Sequence, residues 1–268
     1  MSLIQYYIKG LLSNRNLWFW SVAFMVFWLV LGAYAFSQGV PHTAGALIPY
    51  TSSWYGIIVT YSLSSLAISI AFTIYYASSS LTYCFRYTRL TPISYVSALV
   101  GSSSVLGVML TVIMLAATYG LFSYRFGINL TPSDPLGSVA ISAVGGIFMM
   151  TLAMLLVLIV VNYVGLQSIE LVTFVPLILS FGLGFTQLFT RLPPALVYAS
   201  PFNDIQSLLY QAYSGTATPI QLSDPTSAPL QWEYLLVSLI GWIVFLIVVD
   251  SLLLRRLKPR QVEEGRQI

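Results

Sequence analysis

Six uninterrupted apolar runs, at residues 17–36, 55–76, 95–122, 139–164, 169–189 and 232–254, leave this chain few ways to fold. The hydrocarbon core of a bilayer is about 30 Å thick and a helix rises about 1.5 Å per residue, so about 20 apolar residues cross it. Each run reaches that length. None alternates between apolar and polar positions, which argues against a transmembrane β-barrel. The chain is 57% hydrophobic and 7% charged, with a mean hydropathy of +0.84. Soluble domains carry about 25% charged residues, so this chain cannot clothe a surface facing water. The expected fold is all-α: one integral membrane domain over residues 1–268, with six transmembrane helices.

The positions of Lys and Arg set the expected orientation. With the N-terminus inside, the inside segments hold Lys9, Arg15, Arg86, Arg89, Arg255, Arg256, Lys258, Arg260 and Arg266, and the outside segments only Arg125 and Arg191. The expected placement is a multi-pass protein of the cell membrane with both termini cytoplasmic and a basic tail at 255–268. No cleavable signal peptide is expected, because no small-residue cleavage site follows the first run. Asn129-Leu130-Thr131 is a glycosylation sequon in an outside loop, although Pro132 follows it and a chance match is the simpler reading.

Between the runs lie three segments with a pattern of their own. In residues 1–14, Leu3, Ile4, Tyr7, Ile8, Leu11 and Leu12 fall at helical spacing, with Gln5 and Lys9 off the stripe. That is an amphipathic helix lying in the interface ahead of the first span. Residues 77–94 form the longest inside connection and mix aromatic with basic side chains, so a short helix is expected at 82–94. Pro92 ends or starts a helix there. Such a segment reads equally as a docking surface or as a positive-inside loop at the headgroups. Residues 191–231 are the largest outside segment. Phe202, Ile205, Leu208, Leu209, Ala212 and Tyr213 repeat at helical spacing, with Pro201 placed for a helix start and Gly215 for its C′ position. A re-entrant helical hairpin within 191–215 fits, provided protein buries its backbone.

Several functions lack their residues. Neither Lys9 nor Lys258 sits in a phosphate-binding loop, so no ATP site of that kind is present. Cys84 is the sole cysteine and His42 the sole histidine, so neither an intrachain disulfide, a zinc site nor a Ser-His-Asp set can be assembled. The chain is read as no enzyme, with no cofactor or metal of its own and no nucleic-acid partner. Asp250 is the acid nearest to mid-span, and its distance of about 27 Å from Trp232 along the helix puts it at the inside headgroups. Spans this poor in charge argue against proton or sodium coupling. The hydroxyl-rich stretches, Ser62, Ser64, Ser65 and Ser69 in span two and Gly101 to Gly107 in span three, read as helix packing before they read as a polar lining. Glu170, at the start of span five, is favoured there by the helix dipole, and a role in transmitting motion stays open.

The order of these parts resembles the membrane subunit of the ABC-2 exporter permeases, the type 2 ABC transporters. Two stretches carry the resemblance: TRLTPISYVSALVGSS at 88–103, with its Thr-Pro pair leading into a span, and SPFNDIQSLLYQAYSG at 200–215. In the second, Ser200 stands where that family usually has asparagine. Ahead of the Thr-Pro pair this chain has Arg86 and Arg89, where relatives of that kind often carry acids and a Gly-Thr pair. The resemblance implies a permease that works as a homo- or heterodimer in the lipid bilayer, each half docking a separate cytoplasmic ATPase that binds ATP and Mg. The 82–94 segment would be the coupling helix, with Tyr83, Phe85, Arg86, Tyr87, Arg89, Leu90, Thr91 and Pro92 on the ATPase. Glu170 would add a second contact near span five. Pro201, Phe202, Asp204 and Leu208 would belong to the outer gate. Export, rather than import, is also implied only by the resemblance. The alternatives are a membrane assembly or accessory subunit without a pathway, and a secondary transporter or channel. Lipids, lipid-linked glycans, hydrophobic drugs and peptides would all suit such a bundle as substrates.

Overall fold

A computed structural model of the chain describes residues 3–88, 90–164 and 169–255, without the side chains of Ser79, Thr82 and Arg86. Among these residues the structure is helical, with no named strand. Six helices are long and apolar enough to cross a membrane: Arg15–Tyr34, Ala44–Ser78, Pro92–Phe126, Pro135–Val164, Ile169–Phe189 and Trp232–Leu254. They are spans one to six. Each overlaps one of the six runs, and the chain is membrane-embedded.

The N-terminal helix Leu3–Leu12 forms as its apolar stripe requires, burying Tyr7 and Leu11. It does not lie free. Its Ile4 carbonyl accepts from Ser102 Oγ of span three at 3.2 Å, and the Tyr7 and Tyr95 rings meet edge to face at 5.9 Å. Span one contains a π-helical stretch, Phe19–Ala23, where the regular backbone ladder is broken. The Ser62 hydroxyl of span two donates to the Ser21 carbonyl there at 2.7 Å. This satisfies one of the carbonyls that a π turn leaves poorly served.

Span two is the hub of the bundle: 89% of its most apolar window is buried, against 33% for spans one and five. Its serines are used in packing. Ser64 and Ser65 bond back to the carbonyls of Thr60 and Tyr61 one turn before, at 2.9 and 3.0 Å. Spans three and four cross where glycines remove side chains altogether. A Cβ on Gly107 would stand 2.8 Å from the Ser142 carbonyl oxygen, and one on Gly146 2.6 Å from that of Ser103. Small residues at a crossing let backbones approach, which in a bilayer replaces the missing hydrophobic drive. Gly146→Ala is therefore expected to force the two spans apart, at a cost of about 1–3 kcal/mol. A fall in the melting temperature of the detergent-solubilised protein would register it, whereas an unchanged melting temperature would contradict this crossing.

The connection between spans two and three departs from expectation. No separate short helix occupies 82–94. Span two runs on as one helix, Ala44–Tyr87, of 44 residues. At about 1.5 Å per residue that is about 66 Å, roughly twice the hydrocarbon thickness. The reason is local. No Gly or Pro lies between Gly56 and Pro92, and the hydroxyls of Ser78 and Ser80 bond to carbonyls within their own helix. Nothing interrupts the helix until Thr88. There the Thr88 hydroxyl donates to the Cys84 carbonyl at 2.6 Å and accepts from the Leu90 amide at 3.1 Å. Thr91 caps the next helix by accepting from the Ser94 amide at 3.1 Å, with Pro92 as its first residue. The result is a corner between two long helices.

Contacts sort the bundle into two ends. The N-terminal helix, the corner and the starts of spans one and five lie together, tied by the Phe85–Tyr95 ring pair at 6.1 Å and the Trp20–Phe174 pair at 5.9 Å. The opposite end gathers His42 against Phe126 at 5.5 Å, and Arg125 over the Tyr34 ring at 5.2 Å. Between spans five and six come a short helix, Pro194–Ala199, and a longer one, Pro201–Ser214. The longer one closes this second end and is called the cap helix below. Ser200 caps its start, and Gly215 closes it with φ +73°, as the sequence pattern requires.

Candidate functional site

Two places concentrate unusual chemistry, one at each end of the bundle. The first is the corner. Its apolar side chains divide. Phe85 and Leu90 turn back against the core, while Tyr83, Tyr87 and Ile93 are 48%, 80% and 77% exposed. Thr88 and Thr91 are exposed beside them, and Pro92 is half-buried. The Arg86 side chain and all of Arg89 lie outside the described residues. Ile93 was not among the residues expected to dock a partner. The signal for it was faint: an isoleucine directly after the helix-starting proline. Lys9 and Arg15 lie at this end. Glu170 is exposed in the first turn of span five, and its neighbour Thr173 bonds back to its carbonyl at 2.8 Å. The turn at 165–168 and the tail beyond Arg255 lie outside the described residues.

The second place is the cap helix. Its sequence is half polar, yet Pro201 to Tyr210 are all buried, because spans two, four, five and six surround it. An amphipathic helix is expected to expose its polar face, so those groups must find partners inside. Gln187 of span five supplies them. Its Oε1 accepts from Asn203 Nδ2 at 2.7 Å and from Gln206 Nε2 at 3.4 Å, and its Nε2 donates to Ser207 Oγ at 3.2 Å. Thr218 of the following loop donates to the Ser207 carbonyl at 2.6 Å. Two glycines make room. A Cβ on Gly56 of span two would lie 2.6 Å from the Gln206 carbonyl oxygen, and one on Gly184 of span five 2.9 Å from Gln206 Oε1. Gln187, Asn203, Gln206 and Ser207 escaped the sequence reading. The one available clue was a glutamine inside an otherwise apolar span.

Of the residues expected at the outer gate, Pro201, Phe202, Asp204 and Leu208 all lie in this helix, and all are buried. Phe202 packs edge to face on Phe148 of span four at 5.5 Å. Asp204 is 0% exposed, and neither of its oxygens has a hydrogen-bond partner among the described residues. Asp250 adds to the sequence reading: it packs inside the bundle, 1% exposed, with both oxygens unpartnered among the described residues. Span six packs along span four here, where the Asn162 side chain reaches the Leu253 carbonyl at 3.5 Å. So two acids are buried where almost none were expected. About 18 Å of helix separates Ser238, which faces Asp204, from Asp250. The buried face of span six between them is Leu239, Ile243 and Leu246. Those side chains cannot relay a proton.

Asn129 is exposed and accepts from the Tyr119 hydroxyl at 3.1 Å. No group of three or more His, Cys, Asp or Glu able to hold a metal occurs among the described residues. No protein-family model matches the chain, and no curated protein matches it.

Proposed function

We propose that this chain is the membrane-spanning subunit of an ATP-driven exporter of the ABC-2 type, working as a dimer and moved by separate cytoplasmic ATPase subunits. The observation that carries this reading is the corner. Two helices of 44 and 35 residues meet there, and each is longer than a bilayer needs. Their junction is capped on both sides and carries Tyr83, Tyr87 and Ile93 outward. A rigid, aromatic-bearing projection is what a soluble partner can grip, since exposed aromatics anchor protein interfaces. The N-terminal helix is bonded to the same stretch of span three through Ser102 and Tyr95. A push on the corner therefore reaches the first span as well. In this reading the corner and both termini are cytoplasmic, Arg86 and Arg89 add charge complementarity, and Glu170 flanks the contact. The cap helix and the short helix before it form the re-entrant lid of the outer gate. Asn129 then lies on the outer side, where its sequon could be reached. ATP and Mg belong to the partner.

The buried acids favour one rival, a proton-coupled secondary transporter. The apolar stretch Leu239, Ile243 and Leu246 between them supports the first reading instead. Reconstitution separates the two. In liposomes, the chain with a nucleotide-binding subunit is expected to hydrolyse ATP and move substrate, and the chain alone under a proton gradient is expected to move none. Gradient-driven transport by the chain alone would overturn the proposal.

A further inference from the structure

The cap helix carries an acid that no neighbour can neutralise. Asp204 is wholly buried with two unpartnered oxygens, in the first turn of a helix enclosed by spans two, four, five and six. No Lys, Arg or His occurs in span four, five or six, in the short helix or in the cap helix itself. The one cation of span two, Arg86, lies 30 positions beyond the cap contact at Gly56, about 45 Å along the helix. Tyrosines gather about the cap helix: Tyr55 of span two meets Tyr213 at 4.9 Å, Tyr61 of span two shares the Gly184 crossing with Gln206, Tyr210 and Tyr213 are its own, and Tyr198 of the short helix turns to Tyr234 instead. Asp134 stands at the start of span four, and Glu233 and Tyr234 at the start of span six, with Asp250 near its other end. All of these are neutral or acidic. The positive end of the helix dipole and the Ser238 hydroxyl of span six favour the anion, and neither is a counter-charge. A buried charge without partners either takes up a proton or leaves the interior.

We propose that Asp204 is the neutral acid while the cap helix is docked, and that its ionisation undocks the helix from spans two, four, five and six. The cap is thus a latch operated by a proton. When it opens, the proton goes to water and the carboxylate is solvated. When it closes, a proton returns. The Ser238 hydroxyl of span six faces the acid and is the polar side chain closest to serving it. Burial pushes the carboxyl up to about 8, against about 3.9 for a solvated aspartate. The sign follows. A carboxyl whose docked value is raised stabilises docking fully below about pH 4, and that contribution is lost as pH climbs through about 8. This device stands whether or not an ATPase drives the bundle.

Two measurements on the full chain test it. Hydrogen exchange over residues 201–214, corrected for the intrinsic pH dependence, is expected to rise at least about tenfold from pH 6 to pH 9 in the wild type, a factor equal to about 1.4 kcal/mol. In Asp204→Asn, which keeps the shape but cannot ionise, protection is expected to hold at both pH values. Infrared titration is expected to show a buried carboxylic-acid carbonyl band that persists in Asp250→Asn and fades near pH 8. Should Asp204→Asn fail to fold, Asp250→Asn still decides, because any such band left in it belongs to Asp204. Unchanged protection between pH 6 and pH 9, the same loss in Asp204→Asn, or no titrating acid band in Asp250→Asn would each overturn the latch.

Discussion

Replacing Tyr87 and Ile93 together with glutamate is expected to abolish capture of the ATPase subunit while leaving the bundle folded. Both side chains are mostly exposed, at 80% and 77%, so their removal creates no cavity in the core. Substitutions at such surface positions usually change stability by less than about 0.5 kcal/mol. At an interface the same positions behave differently. A buried aromatic or aliphatic anchor is worth about 2 kcal/mol or more, roughly 30-fold in affinity each. Two anchors replaced by buried charge should therefore weaken docking by about a thousandfold or more. Co-purification with the nucleotide-binding subunit would be lost, and the melting temperature of the isolated chain would stay within about 2 °C. Equal co-purification of variant and wild type would remove the corner from the mechanism. Reversing Arg86 and Arg89 to glutamate is the companion test, and a milder one, because rim charges act chiefly on association rate.

Replacing Gln187 with leucine is expected to have the second largest effect, at the other end. One side chain there bonds to Asn203, Gln206 and Ser207, all three buried. Leucine fills similar space but strands the Gln206 amide and leaves the Asn203 amide only its 3.4 Å bond to the Leu183 carbonyl. Each buried polar group left unmet costs about 1–3 kcal/mol, so the cap helix should lose at least about that much docking free energy. Exchange over 201–214 would rise steeply, while span three, which packs on spans one, two and four and on the N-terminal helix, would keep its protection. Gln187→Glu is the informative control. It keeps the two acceptor contacts and adds a second buried acid at this end of the bundle. Protection in Gln187→Leu equal to wild type would mean that the hydrogen bonds do not hold the helix.

The six spans were legible because a bilayer demands long apolar runs, and such runs are hard to mistake. The limits of the cap helix were legible too, since Ser200, Pro201 and Gly215 act through their own backbone geometry. Features that depend on other helices were not. The polar face of the cap helix looks like an exposed face until Gly56 and Gly184 let two spans close over it. The burial of Asp250 is invisible when position is counted along span six alone, because it is span four that packs beside it. The corner was misread for a different reason. Its aromatic and basic composition suggested a separate helix, whereas the absence of Gly or Pro from 57 to 91 was the stronger signal and predicts continuity. Which of Tyr83, Phe85, Tyr87 and Ile93 face outward is fixed only by the packing of Phe85 against Tyr95.

Cross-linking at the corner tests the central claim most directly. With Cys84 replaced by serine, a single cysteine at Tyr87 should cross-link to the nucleotide-binding subunit in inside-out vesicles. ATP should change the yield, and reagents outside intact cells should not reach the thiol. Labelling of that cysteine from outside intact cells, or an absence of cross-link in the assembled, ATP-hydrolysing complex, would contradict the account.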